Sequence, residues 1–430
     1  MSRTLRAFLR QCLLLVTLAL GSCGGGGVGD APVGVAGDIG SGGTGASGGG
    51  IGSGGTGVAG GEGVGSGGTG VTASVGIGSI DGFGSIVVNG VRYEIGAATT
   101  VLNDVNALKL GMTVRVTGAI SADLTQGTAT LVVSAADLRG TVAGLSASGG
   151  TFTIMGVQVS TNAATVYAGG LGAASGLANG APVQVHGLPG QDGVLHATRV
   201  ERLASAQAPV LTGYVQDLDR DSRTFRIGAQ RVSYAAADFP GDWPSSRLDN
   251  GAVVRVRAPA AATTLAANAI EPWNPTPLRD GTRLSLGGLV SDFVSPQGLR
   301  IDGVPADVSA AKVTGGNVSV ALSTGARVEA SGTMQGGVLV VTTLKVRQPA
   351  PTVTVPSPSD DDNGGFSARG SVGAYRSPAD FKVQGQDIDA SSAVFTGGTA
   401  ADLGPSRKVL VTGSRVRDDV LLADRVEFLP

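Results

Sequence analysis

The sequence predicts an all-β protein in which five small, OB-like β-barrel domains follow one another along the chain. Apolar and polar residues alternate over short runs that are separated by glycines, a pattern typical of half-buried strands. One set of sequence anchors recurs five times, at a period of about 65 to 80 residues. No repeat shows a long stripe of period 3.6, so we expect little helix. A sandwich-like arrangement of the same strands stays open as the alternative.

The N-terminus has the pattern of a bacterial lipoprotein signal peptide over residues 1–22. Arg3, Arg6 and Arg10 precede an apolar stretch of nine residues, which is too short for a transmembrane helix of about 20 residues. The stretch ends in Leu-Gly-Ser-Cys, which resembles the lipobox of these proteins. We therefore expect cleavage before Cys23 and lipid attachment to its sulfur. In the resembling Gram-negative lipoproteins an Asp after the cysteine retains the protein in the inner membrane, so Gly24 favours the outer membrane.

Composition excludes several classes of function for the mature chain. Cleavage would remove Cys12 and leave Cys23 as the single, alkylated cysteine, so neither disulfides nor a cysteine-bound metal is expected. It would also leave 28 basic and 33 acidic side chains, a net charge of −5. A nucleic-acid partner is not predicted, because no basic stripe is present to neutralise phosphates. No cofactor is predicted either.

Residues 23–74 are dominated by glycine and are predicted to form a flexible stalk. The unit Gly-Ser-Gly-Gly-Thr-Gly occurs three times in this segment, which has too little apolar surface to offset the entropy lost on ordering. A second linker is predicted at 348–365, where prolines precede an Asp-rich run. The five domains between and after these segments are predicted at 75–138, 139–204, 205–275, 284–347 and 366–430. They are called repeats 1 to 5 below.

The most regular anchor is Leu-x-x-Gly-x-x-Val-x-Val-x-Gly. Its first, fourth and last positions are Leu108, Gly111 and Gly118; Leu177, Gly180 and Gly187; Leu248, Gly251 and Ala258; Leu322, Gly325 and Gly332; and Leu403, Ser406 and Gly413. Ser406 replaces the usual glycine and is expected to alter the turn. Each repeat also opens with Gly-x-Ile or Gly-x-Val, followed by an alternating strand and a tight turn.

The residue between the two anchor valines is polar in four of the five repeats. These residues are Arg115, Gln184, Arg255, Glu329 and Leu410. Because successive side chains of a strand point to opposite faces, we expect the valines to be buried and these residues to point outward. Leu138 leads directly into Gly140, so repeats 1 and 2 are expected to lie close together with a stiff connection, whereas the later connections contain proline. The prediction for the whole is a jointed rod of separate small cores.

The run from Gly82 to Val91, followed by Leu108 to Gly118, resembles a family of bacterial lipoprotein domains of unknown function. The resemblance extends through the repeats over about 75–430 and is most specific in repeat 1. It implies tandem small β-domains, and it brings no catalytic residue and no ligand.

Two groups of residues in repeat 3 are candidate binding sites. Phe239, Trp243 and Trp273 would form an exposed aromatic platform for a sugar or peptide, or would cap the core instead. Asp217, Asp219 and Asp221 have the spacing that opens a calcium loop, but Gly228 stands at the twelfth position and turn formation is the favoured interpretation.

The two histidines of the chain, His186 and His196, occupy repeat positions that hold other residue types elsewhere, so we expect surface or edge histidines rather than ligands. No nucleophile, base and orienting group recur together. The predicted function is therefore a non-enzymatic, lipid-anchored envelope protein that acts as a scaffold or protein-binding spacer. The alternative is a glycan, peptide or cation binder that uses the loops of repeat 3.

Overall fold

The computed structural model describes residues 73–146, 148, 150–314, 322–348 and 365–430. Within these ranges the chain is all-β, as predicted, with 34 strands. The helical segments of these ranges are three 3-10 turns, at Ala174–Gly176, Ser245–Arg247 and Ala400–Asp402. No helix in the described part is long and apolar enough to cross a membrane. The predicted signal peptide, Cys23, most of the stalk and the segment 349–364 lie outside the described residues.

Repeat 1 has six strands. They are β1 (Ala73–Phe83), β2 (Ile86–Val88), β3 (Val91–Glu94), β4 (Thr99–Asn103), β5 (Thr113–Ile120) and β6 (Gln126–Ala135). β1 pairs antiparallel with β2 and with β5, and β2 pairs antiparallel with β3. β3 and β4 run parallel to successive parts of β6, which pairs antiparallel with β5. The pairing thus returns to β1 and forms a closed circuit.

Repeats 2 and 3 follow the same circuit, with some long strands divided in two. Repeat 2 contains β7 (Leu138–Thr141), β8 (Ala143–Ser146), β9 (Thr151–Ile154), β10 (Val157–Ser160), β11 (Val166–Ala168), β12 (Pro182–Pro189) and β13 (Val194–Arg202). Repeat 3 contains β14 (Val210–Tyr214), β15 (Gln216–Asp219), β16 (Thr224–Ile227), β17 (Gln230–Ser233), β18 (Val253–Arg257), β19 (Thr264–Ala266) and β20 (Ala269–Pro272). In both repeats the second strand of the hairpin runs parallel to a strand near the end of the repeat: β10 pairs with β13, and β17 pairs with the short strand β19.

Repeats 4 and 5 have the same order of pairing. Repeat 4 contains β21 (Arg283–Ser295), β22 (Gly298–Ile301), β23 (Val304–Asp307), β24 (Lys312–Thr314), β25 (Arg327–Gln335) and β26 (Val338–Gln348). Repeat 5 contains β27 (Phe366–Ser377), β28 (Asp380–Val383), β29 (Gln386–Asp389), β30 (Val394–Thr396), β31 (Lys408–Gly413), β32 (Arg415–Arg417), β33 (Val420–Leu422) and β34 (Arg425–Phe428). β21 pairs with β25 and β27 with β31, both antiparallel.

The predicted tight turns are two-residue hairpin turns. In four repeats both central residues have positive φ, as the type I′ turn requires. These pairs are Asn89 and Gly90, Met155 and Gly156, Asp302 and Gly303, and Gln384 and Gly385. Repeat 3 has Gly228 at the first central position instead, with a φ of 55°.

The opening anchor and the central anchor are joined by the same two backbone hydrogen bonds in every repeat. In repeat 1 the amide of Gly111 donates to the carbonyl of Ile80 over 2.8 Å, and the amide of Ile80 donates to Met112 over 2.9 Å. In repeat 5 the amide of Ser406 donates to Val372 over 2.8 Å. Ser406 has a φ of 67°, close to the 78° of Gly111, so the turn is retained and the expected change at Ser406 is not seen.

Close contacts leave no room for a side chain at two anchor positions, the opening glycine and the last glycine of the central anchor. A Cβ on the opening glycine would meet a hairpin side chain, for example the Asn89 side-chain oxygen at 2.2 Å from Gly78. A Cβ on the last glycine of the central anchor would meet a carbonyl oxygen of the paired strand, at 2.1 Å for Gly118 and 2.0 Å for Gly332. The register shifts at both positions, so these glycines form the bulges at which β5 and β25 bend.

The repeats do not form the predicted jointed rod. β1 of repeat 1 runs parallel to β21 of repeat 4 and to β27 of repeat 5, and β7 of repeat 2 pairs antiparallel with β14 of repeat 3. The cores are not separate either, since buried residues of repeats 1 and 5 form one cluster and those of repeats 2 and 3 form another. The reason is that strand edges pair across repeats, which neither proline nor linker length reveals.

Candidate functional site: clusters and a cleft between the repeats

One carboxylate of repeat 1 holds three arginines of two other repeats. Asp104 pairs with Arg139 of repeat 2 over 3.1 Å and with Arg257 of repeat 3 over 3.5 Å, and it also contacts Arg255. Burial alone would raise the pKa of the Asp104 carboxyl, but the three positive charges hold this pKa below its ordinary value. Arg255 is fully buried, which contradicts the outward, solvent-facing position predicted for it.

A second carboxylate lies beside this cluster. The side chain of Asp137 accepts hydrogen bonds from Thr113 Oγ1 at 2.6 Å, the amide of Gly187 at 2.9 Å and Trp273 Nε1 at 2.7 Å. Burial raises the pKa of Asp137 to about 6 in spite of these donors. The Trp273 ring also lies under the guanidinium of Arg255, whose central carbon is 4.9 Å from the ring centroid.

His186 is fully buried at the same junction, so the predicted surface or edge position is wrong for this residue. Its Nδ1 lies 3.1 Å from Thr113 Oγ1, and its Nε2 has no hydrogen-bond partner among the residues that the structure describes. Burial, together with the charges of Arg199 and Arg255, lowers the pKa of this imidazole to about 3. His186 is therefore neutral at physiological pH. His196 is half-buried.

A further ionic cluster joins repeats 1, 2 and 5. Arg199 of repeat 2 is fully buried and pairs with Asp419 of repeat 5 over 2.7 Å and with Glu201 over 3.0 Å. Lys109 of repeat 1 pairs with the other oxygen of Asp419 over 2.5 Å. Burial opposes ionisation of Asp419, but the charge of Arg199 and these contacts keep its pKa below the ordinary value.

The junction of repeats 1 and 4 has its own pairs. Arg347 of repeat 4 contacts Asp81 of repeat 1 at 2.6 Å and Glu329 at 2.5 Å. Burial raises the pKa of Asp81, and the nearby charge of Glu329 adds to that rise, while Arg347 opposes it. Glu329 and Gln184 are also buried, so three of the five positions predicted to point outward are covered in the structure.

A cleft of about 450 Å³ opens where repeats 1, 2, 4 and 5 meet. Its wall includes Asp81 of repeat 1, Asn162 of repeat 2, Arg327 and Arg347 of repeat 4, and Phe366 and Arg415 of repeat 5. Arg327 donates to Ser79 Oγ over 3.1 Å, and burial lowers the pKa of its guanidinium. The walls thus combine positive charge with apolar surface, and none of these residues stands out in the sequence as a candidate site.

The structure divides the predicted aromatic platform of repeat 3. Phe239 and Trp243 pack together with ring centroids 6.0 Å apart, and both are half-buried against the core of repeats 2 and 3. Trp273 contacts Asp137 and Arg255 instead. Two of the three aromatic residues therefore form a pair at one place, and the third belongs to the junction of repeats 1, 2 and 3.

The three aspartates of the predicted calcium loop do not converge. The Asp219 carboxylate accepts from the amides of Asp221 and Ser222 at 2.9 and 3.0 Å and from Ser222 Oγ at 2.5 Å, so it forms the turn. These hydrogen bonds lower the pKa of Asp219. Asp217 lies 3.9 Å from Arg226. Among the described residues, no three His, Cys, Asp or Glu side chains are placed to hold a metal ion.

The junctions could not be predicted from the sequence, because alternation identifies a face of a strand but not what covers that face. The available signal was the charge of the in-between residues, since Arg255 and Glu329 stand at equivalent strand positions with opposite charge. A charged residue at such a position can face solvent, or it can form an ion pair with another repeat. Whether such a residue meets solvent or another repeat is decided by how β1, β7 and β27 pair across repeats.

Closed circuits of short strands, repeated along one chain, define a protein of tandem small β-domains. Residues 77–132 and 139–201 each match the family model described as Domain of unknown function (DUF5666). The two matches coincide with repeats 1 and 2 and confirm the predicted resemblance to tandem domains of unknown function. A comparison with curated proteins gave no match.

Proposed function

We propose that the chain is a non-enzymatic, lipid-anchored protein of the bacterial outer membrane whose five OB-like barrels pack into one rigid scaffold for other envelope proteins. The anchor is assigned to Cys23 on the lipobox-like sequence and the preceding apolar stretch. The OB-like assignment is supported by the pairing order: the first strand contacts the second and the penultimate long strand, and the third runs parallel to the last.

The observation that carries the scaffold proposal is the set of ion pairs around Asp104. This carboxylate contacts Arg139, Arg255 and Arg257, so repeats 1, 2 and 3 are held in one relative arrangement. A half-buried ion pair that is removed on one side leaves a desolvated charge, which is strongly unfavourable. A flexible spacer gains nothing from such a junction, whereas a scaffold needs its surfaces at fixed positions.

Hydrogen exchange tests this rigidity. We expect Asp104→Asn to raise amide exchange in β7, β14 and β18, since the arginines of repeats 2 and 3 lose their shared partner. The matched control is Asp387→Asn, which removes an exposed pair with Lys382 inside repeat 5. Unchanged protection of β7, β14 and β18 in the Asp104→Asn protein would contradict a rigid scaffold held by this junction.

The anchor has an independent test with an internal control. Cys23→Ser is expected to move the protein from the detergent phase to the aqueous phase in a phase-partition assay of bacterial lysate. Cys12→Ser lies in the predicted signal peptide and should leave the protein in the detergent phase. Aqueous partition of the unmodified protein would rule out the lipid anchor, and the scaffold proposal would then need another route to the envelope.

A glycan or peptide binder is the second candidate, and the half-buried pair of Phe239 and Trp243 favours it. Cation binding has no comparable support, since Asp219 is engaged in its turn. Calorimetric titration with peptidoglycan fragments should give heat with the unmodified protein and none with Trp243→Ala. Titration heats that are the same for both proteins would exclude this aromatic pair as the binding site.

A further inference from the structure

Two arginines at the cleft between repeats 1, 2, 4 and 5 form no direct ion pair with a carboxylate of the described residues. Arg347 is neutralised by Asp81 and Glu329. By contrast, Arg327 and Arg415 form no ion pair within 4 Å in the described part of the chain, although both border the same cleft. The charges of Asp81 and Glu329 attract the Arg327 guanidinium from a distance, but burial still lowers its pKa, so these carboxylates do not fully offset its loss of water.

We propose that this cleft binds a small organic anion, with Arg327 and Arg415 holding its carboxylate or phosphate group. A planar guanidinium donates two parallel hydrogen bonds to either group, so the two head groups share one recognition chemistry. Arg327 comes from β25 of repeat 4 and Arg415 from β32 of repeat 5. The site therefore exists only when these repeats are packed together.

The acidic residue in the wall does not oppose an anion strongly. Both oxygens of Asp81 are engaged, one with Ser79 Oγ at 3.2 Å and the other with Arg347 at 2.6 Å. Counting Glu329, the wall has three arginines and two carboxylates, which leaves one positive charge for a ligand. A monoanion would neutralise the cluster.

The remaining wall determines what else the ligand contains. Phe366 of repeat 5 is buried at the cleft, and Ala163 and Ala164 of repeat 2 also line it. A cleft of about 450 Å³ is within the size range of small-molecule sites. The fitting ligand is thus a compact molecule with one anionic group and an apolar body, rather than a free inorganic ion or a polymer.

Calorimetric titration of the full chain in detergent tests the proposal with phenyl phosphate, benzoate and neutral benzamide. We expect one molecule of phenyl phosphate or benzoate to bind per chain and benzamide not to bind. Either anion is enough to support the site, and comparison of the two identifies the preferred head group. The affinity should fall as salt is added, because salt screens the arginine charges.

Two variants and one control locate the binding. Arg327→Gln and Arg415→Gln should each weaken binding about 10- to 100-fold, the loss expected for one charge-assisted contact. Arg415 is exposed, so its variant keeps the test valid even if Arg327→Gln impairs folding. Arg376→Gln, at an exposed position of repeat 5, should bind like the unmodified protein. No titration heat with either anion, or an unchanged affinity in Arg415→Gln, would overturn the proposal.

Discussion

The indole nitrogen of Trp273 donates to the carboxylate of Asp137 over 2.7 Å, although the two residues are 136 positions apart in the chain. Asp137 stands at the boundary of repeats 1 and 2, and Trp273 closes repeat 3. Repeat 3 therefore contributes a side chain to the boundary between repeats 1 and 2. Of the two roles that the sequence left open for Trp273, an exposed platform or packing, this contact corresponds to packing.

Replacement of Trp273 by phenylalanine should destabilise the protein. The variant keeps an aromatic ring at this position but removes one of the three hydrogen-bond donors to the buried Asp137 carboxylate. We expect a loss of about 1.5 to 3 kcal/mol in the free energy of unfolding. Trp243→Phe is the matched control, because Trp243 packs on Phe239 through its ring, and we expect a loss of about 1 kcal/mol or less. Urea unfolding measures both. Equal losses in the two variants would show that the hydrogen bond contributes nothing.

Asp302 should make stability depend on pH. Burial raises its pKa from 3.8 to about 7, so the folded protein favours the protonated form. Its contribution to stability is complete below pH 3.8 and is lost as the pH rises through about 7. Asp302 begins a type I′ turn, and asparagine suits that position, as Asn89 does in repeat 1.

We therefore expect Asp302→Asn to match the unmodified protein near pH 4 and to exceed it at pH 8 by about 2 to 4 kcal/mol in free energy of unfolding. Asp137 also has a raised pKa, but it is present in both proteins and cancels in the difference. Urea unfolding across this pH range gives the difference curve. A difference that stays constant with pH would mean that Asp302 ionises normally in the folded state.

The last anchor glycine of repeat 5, Gly413, should not accept a side chain. A Cβ on Gly413 would lie 2.1 Å from the carbonyl oxygen of Leu422, so we expect Gly413→Ala to lower the free energy of unfolding by at least about 2 kcal/mol. Gly373 lies in the same repeat with no atom within 4 Å of its added Cβ. Gly373→Ala should change stability by about 0.5 kcal/mol or less. Thermal unfolding of both variants checks the contrast, and a well-tolerated Gly413→Ala would show that the contact with Leu422 does not exclude a side chain.

Ser406 has a left-handed backbone that glycine adopts without cost. Ser406→Gly should therefore raise the free energy of unfolding by about 0.5 to 1 kcal/mol, the strain relieved less the entropy that glycine loses. The reverse change is Gly251→Ala, where φ is 83° and the space around the added Cβ is open. This variant should be less stable by a similar amount. Shifts of the same sign in both variants would show that φ is not the controlling variable.

The sequence was informative wherever one repeat alone determines the structure. The anchor spacing located the turn at Gly111 and its equivalents, and alternation identified valines such as Val114 and Val116 as buried. These features depend on backbone conformation and strand period, which are local. Even the departure at Ser406 changes little, because the hydrogen bond to Val372 holds the same turn.

The contacts between repeats could not be predicted in this way. Arg255, Glu329 and His186 stand on faces that alternation assigns to the outside, and each of them is buried by another repeat. Burial there depends on which strand edges pair across more than 100 residues, as β1 does with β21. A single sequence contains no local signal for such pairing. The cleft between four repeats was missed for the same reason.

The parallel pairing of β1 with β21 and β27 has a consequence for the order of events during folding. Repeat 1 leaves the ribosome before its partner strands, which follow about 200 and 290 positions later. Pairings of such sequence separation form slowly, because a large loop must close before the strands make any contact. Until then, the edge of β1 is open to other chains, so repeat 1 should be the region most in need of a chaperone during folding.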